Sequence, residues 1–547
     1  MSDTHAGNTS RRTGRQAVVI VHGMGEQRPL DALTGFINAG LPPDDGNHRL
    51  YYSRPDIVGG GYDSRRFLAP ATADRPQTEF FEYHWAHLMQ GNRLRDMRSI
   101  TRRLLLRPPW RVPAGLRLAW LLIWLLGIAL ACIIAIGPIH DELLQTWEDA
   151  YAWLLGLAGG ALLILVLAFL LGHIGMFIPG ILTNSFADVV RYLDTTPRSY
   201  EVRRQIRKGF VDLLENLHTS RYGGNPRYQR IVIVAHSLGA YIAYDGISYL
   251  WSTMNTRARQ GASGAPDGLR GLEAAARWLD EDSEEARQTY RRAQYRLWTG
   301  LRAQGNPWLI TDFVSVGTPM YFADVLAERT PKRFATRVRR RELPTCPPQN
   351  EERAGDTAPP HYSYSWRGRE VLYGAAPFAV VRWSNLWFPS APRWFGATGD
   401  WFGGPLRPLF GDGVHDVRVT GNRPKRWIPA FAHGWYFKFP DDHHPDSITA
   451  HLKTALDLGD THAHDPWLRP TRDQIDTARH LLHEAGFSCR RMTRKHVDLT
   501  DPREPVPRQS VRDWLSSMTR SQLACLIEDL NWRVKRKKVG TLLDPEE

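Results

Sequence analysis

The stretch Ala-His-Ser-Leu-Gly at 235–239 carries the residues most able to do chemistry. It follows the apolar run RIVIVA at 230–235 and precedes the helix-like GAYIAYDGISYLW at 239–251. A strand that turns sharply into a helix can lift a hydroxyl above a sheet, which assigns Ser237 as a nucleophile. The turn needs small flanking residues. Gly239 supplies one, and Ala235 stands at the other position, where a glycine is usual. A serine hydroxyl is weak at its own pKa. It needs a base, a group to orient that base, and donors for the developing oxyanion.

The base is sought on a late loop and the acid before it, in the order Ser, Asp, His. His433, in IPAFAHGWYF, is favoured over His415 in GDGVHDVRV and over the doublet His443–His444 in a polar turn. Asp400, in TGDWFGGPL, is the first aspartate after the apolar run 379–387. Asp412 and Asp416 are rivals, and Asp312 lies one strand too early. One oxyanion donor is the Leu238 N–H. A second comes from VVIVHGMGEQ at 18–27, where glycines let backbone amides turn toward the site and Met24 is the expected donor. His22, Gly23, Gly25 and His236 are read as supporting these loops, with His22 in a packing role.

Apolar runs at 17–21, 79–85, 230–235, 309–316 and 379–387 are the expected strands. Helix-like segments lie between them at 186–217, 239–251 and 271–304. That alternation predicts a mostly parallel α/β sheet with helices on both faces. Thr471 with Gln474 and Thr519 with Gln522 look like helix-opening capping pairs, giving a small helical region over 465–547. The RVKRKK run near the end is read as a solvated face.

Residues 118–136 and 152–172 contain no charged side chain. Each is long enough to cross a hydrocarbon core as a helix. Gly127, Ala131 and Ala135, and Gly156 and Gly160, recur every four residues, as in helices that touch within lipid. Arginines 93, 95, 98, 102, 103, 107, 111 and 117 precede this pair, and the connector between the two runs has no Lys or Arg. The expectation is a transmembrane hairpin, spans about 116–138 and 152–178, with both flanks on the cytosolic side of the inner membrane. The segment 93–111 would lie along the anionic surface.

The 547-residue chain is 42% hydrophobic and 23% charged, with a formal charge of +13. A membrane surface accounts for much of that charge, so nucleic acid is not needed as a partner. The four cysteines form no close pair and read as unpaired thiols in a reducing compartment. Domain organisation reads as a tail at 1–15, an α/β domain at 16–90 and 183–464, the membrane insertion at 91–182, and the helical region at 465–547.

Together VVIVHGMGEQ, VVRYL, IVIVAHSLGAYIAYD, VSVGTPM, WSNLWFPS with GDWFGGPL, and AHGWYF resemble bacterial α/β-hydrolases of the lipase and esterase type. The resemblance covers 16 to about 440, with the hairpin inserted between the second and third strands. It implies a triad of Ser237, His433 and Asp400 and no cofactor. The expected function is a membrane-anchored serine hydrolase acting on lipid-like carboxylic esters. The alternatives are a non-catalytic membrane-tethered scaffold on the same fold, or a lipase toxin acting on another cell.

Overall fold

Runs of β-branched residues with no polar interruption favour strands covered on both faces. All five expected runs form strands: β1 (Arg15–Val21) ends in AVVIV, and later runs follow it. The structure, a computed structural model, describes residues 15–23, 28–40, 51–59, 65–72, 75–89 and 106–112. It also describes 188–279, 283–350 and 360–421 with short breaks, 432–438, 444–459 and 472–484, and separate helical positions within 117–131 and after 514.

Strands β2 (Tyr52–Pro55), β3 (Arg65–Ala69), β4 (Gln77–Tyr83), β5 (Arg230–His236), β6 (Ile310–Val316), β7 (Arg382–Trp387) and β8 (His415–Arg418) join β1 in one eight-stranded sheet. Its order is β8-β7-β6-β5-β1-β4-β3-β2. The six strands from β8 to β4 pair in parallel, and β4-β3 and β3-β2 pair antiparallel. The sheet is thus mixed and α/β-like.

Alternate residues of each central strand enter different cores. Ala17, Val19, Val21, Ile231 and Ile233 face a large cluster containing helices α2 (Pro197–Thr219), α3 (Gly239–Ala258) and α4 (Glu284–Ala303). Val18, Ile20, Val232 and Val234 face a smaller one with α1 (Asp31–Gly40) and α5 (Ile448–Leu456). Beyond it, α6 (Arg472–Glu484) shares a separate apolar cluster with Leu515, Leu523, Leu526 and Leu530. Thr471, Thr519 and Gln522 lie outside the described residues.

The register aligns the C-terminal ends of the central strands. Val21 pairs with Ala235, His236 with Val316, and Val316 with Leu386. Parallel sheets present their ligand-binding crevice at this edge.

The expected two-helix transmembrane insertion is not seen. Among the described residues no helix is long and apolar enough to cross a membrane. The second expected span lies outside the described residues. In the first, only separate helical positions between Arg117 and Ala131 are described. Trp120 there packs against the large core. The fold class is therefore corrected to a mixed α/β sheet without that insertion.

Candidate active site

The turn after β5 places Ser237 at φ 55°, a left-handed conformation that side-chain-bearing residues seldom adopt. Two hydrogen bonds hold it there. Its N–H donates to Val316 O at 3.0 Å, and its carbonyl accepts from Thr318 Oγ1 at 3.1 Å. Gly239 opens α3 directly against β1: a Cβ there would sit 2.4 Å from Val21 O. The helix can start this close to the strand only because the residue is glycine.

His433 belongs to the short 3-10 turn Ala432–Gly434. Its Nε2 lies 2.8 Å from Ser237 Oγ, and its Nδ1 lies 3.0 and 3.1 Å from the two oxygens of Asp400. Asp400 is fully buried. Its Oδ1 accepts from Phe402 N at 2.8 Å and its Oδ2 from Tyr436 Oη at 2.8 Å. Tyr436 in turn accepts from Phe388 N at 2.9 Å, just beyond β7. A carboxylate accepting from Nδ1–H leaves Nε2 as the acceptor facing the hydroxyl. Such a constellation can draw a proton from Oγ as it attacks a carbonyl.

The structure thus brings Ser237, His433 and Asp400 together. The rivals lie elsewhere. Asp312 forms buried ion pairs with Arg230 and Arg382. Asp416 accepts from Leu406 N, Arg407 N and Asn385, and burial raises its pKa. Asp412 pairs with Arg407 at 3.6 Å. His415 faces Glu284 at 3.4 Å, and burial pushes its pKa down to about 4. His444 accepts from Asp446 N in an exposed turn, and His443 lies outside the described residues.

Leu238 is buried, and among the described residues its N–H has no acceptor, as an oxyanion donor requires. Met24 and Gly25 lie outside the described residues. Gly23 is described, and a Cβ on it would sit 3.0 Å from Ser237 Cβ and 2.6 Å from His236 Nδ1, so the first loop lies against the serine turn.

The two flanking histidines are built for neutrality. Burial pushes the pKa of His22 down to about 3. Its ring stacks on Trp85, its Nδ1–H donates to Gly23 O, and its Nε2 accepts from Trp85 N. Burial, and after it the neighbouring His433, holds His236 down at about 3. Its Nε2–H donates to His433 O at 2.9 Å, tying the serine turn to the backbone of the imidazole it faces.

Tyr436 and Thr318 are the contributors that sequence reasoning missed. Both stood in quoted motifs, AHGWYF and VSVGTPM, yet their role comes from contacts across the sheet edge. Among the described residues no group of three or more His, Cys, Asp or Glu could hold a metal ion. No protein-family model, curated protein or solved structure matches this chain.

Proposed function

We propose that the protein is a serine hydrolase that cleaves carboxylic esters through an acyl-enzyme on Ser237. The observation that carries this is the unbroken line from Ser237 Oγ to His433 Nε2, and from His433 Nδ1 to Asp400. Ser237 Oγ attacks the ester carbonyl while His433 takes its proton. The Leu238 N–H faces the tetrahedral oxyanion, and His433 returns the proton to the leaving alcohol. Water then repeats the sequence to release the acid. The arrangement of strand, serine turn, late histidine and intervening aspartate is that of the α/β-hydrolases the motifs resemble.

The substrate class proposed is a lipid-like ester. Leu106 and Trp110 are 68% and 75% exposed in a segment that also carries Arg107 and Arg111. Arg107 acts electrostatically on Asp324, in the helical turn that follows Thr318–Phe322. Exposed Trp and Leu among arginines suit a lipid–water interface.

The test is a fluorophosphonate probe together with 4-nitrophenyl and phospholipid esters. Wild-type protein is expected to label and turn over, and Ser237→Ala to do neither while keeping its melting temperature. Labelling that persists in Ser237→Ala sinks the assignment.

A further inference from the structure

Beside the triad lies a cavity of about 800 Å³ that the reaction scheme leaves unassigned. Gly23, His236 and Gly434 are among its lining residues, and each is adjacent in the chain or in space to Ser237 or His433. Its lining also carries two cations, Arg28 and Lys438, and one acid, Asp31, all three exposed. Asp31 stands in the first turn of α1. Arg28 meets it through the backbone, Asp31 N to Arg28 O at 3.2 Å. Among the described residues neither Arg28 nor Lys438 forms an ion pair. The two histidines that line the cavity, His22 and His236, are kept neutral by burial. The fixed charge around the cavity is therefore positive by one, with two donors free to turn inward.

We infer that this cavity receives an anionic group of the substrate, a carboxylate or a phosphate, while the ester carbonyl sits at Ser237. This rests on the hydrolase reading and narrows its substrate class. Unpaired Arg and Lys side chains at the mouth of a crevice favour an oxyanion over a neutral group of the same size, and more so at low salt. The neutral His22 and His236 add no competing charge beside the serine turn. The anion can enter on the acyl side, as a dicarboxylic half-ester, or on the alcohol side, as a phosphate-bearing glycerol ester.

Matched ester pairs distinguish these sources. The acyl-side pair is mono-4-nitrophenyl glutarate against 4-nitrophenyl butyrate. The alcohol-side pair is dibutyryl-glycerol phosphate against dibutyryl-glycerol. The readout is the ratio of kcat/KM, charged over neutral, at low and at high salt. In one pair the wild-type ratio is expected to exceed unity by about tenfold, each cation contributing a factor of about three, and to shrink with salt. Arg28→Gln with Lys438→Gln should return it to near unity, whereas the remote, exposed Arg257→Gln should leave it unchanged. A ratio near unity in both wild-type pairs, or a preference that survives the double substitution, overturns the inference while Ser237-dependent turnover of the neutral esters leaves the hydrolase reading standing. Absence of fluorophosphonate labelling at Ser237 takes down both.

Discussion

At the scale of single residues, the serine turn and its neighbours were readable because their signal is local. A β-branched strand running into a small-x-Ser-x-Gly turn states its geometry within ten residues, so Ser237, Leu238 and Gly239 could be placed from the chain alone. Asp400 was reachable only through its order between strand and histidine. Tyr436 was out of reach, because its hydroxyl meets Asp400 only once the loops at 400 and 436 are brought together. The orienting carboxylate invites a direct test. Asp400→Asn preserves the shape but removes the charge and can turn its amide N–H toward Nδ1, so the wrong imidazole tautomer is favoured. The expected loss in kcat is on the order of 10⁴-fold with little change in melting temperature, checked by ester kinetics alongside thermal denaturation.

At the scale of elements, β1, β4, β5, β6 and β7 were legible as apolar runs, whereas β2, β3 and β8 were not. β2 is exposed along its length and β8 is a four-residue edge strand, so neither buries enough surface to show a hydrophobic pattern. The apolar run at 118–136 was read as a membrane span, yet among the described residues no helix is long and apolar enough to cross a membrane, and hydropathy alone does not separate lipid from other apolar surroundings. The contact of α3 with β1 yields a second prediction. Gly239→Ala pushes a methyl into Val21 O and is expected to cost about 1–3 kcal/mol and to lower turnover together with stability, unlike Ser237→Ala. The junction of β4 with α1 yields a third. Glu82 on β4 accepts from Leu30 N just before α1, and burial raises its pKa from 4.5 to about 7. The folded state thus holds a proton that the unfolded chain gives up near pH 4.5. Its contribution is complete below that pH and is lost as the pH rises through about 7. Glu82→Gln, which keeps an acceptor for Leu30, is expected to flatten the decline in melting temperature between pH 5 and pH 8, as measured by thermal denaturation across that range.

At the scale of the whole molecule, the sheet is fastened at its far end by charge. Arg230 is fully buried, with its guanidinium on Asp312 and Thr311, and Asp312 also takes Arg382. Those two arginines hold the Asp312 carboxyl well below the usual range although burial opposes them. Asp312→Asn is expected to destabilise the fold by about 3–5 kcal/mol, because it strands a buried cation; urea denaturation measures it. No sequence pattern announced this cluster. Asp312 sits in an apolar strand, and its partners are 70 and 82 residues away.

Arg230 finds its last two acceptors in the carbonyls of Leu456 and Asp457, and Gln16 reaches Leu458 O. During synthesis the middle of the sheet therefore emerges with a guanidinium it cannot satisfy until more than two hundred further residues have left the ribosome. Chains released just short of position 456 should accumulate as aggregates, and those released a few residues past 458 should become soluble, a threshold that a ladder of stop codons would locate.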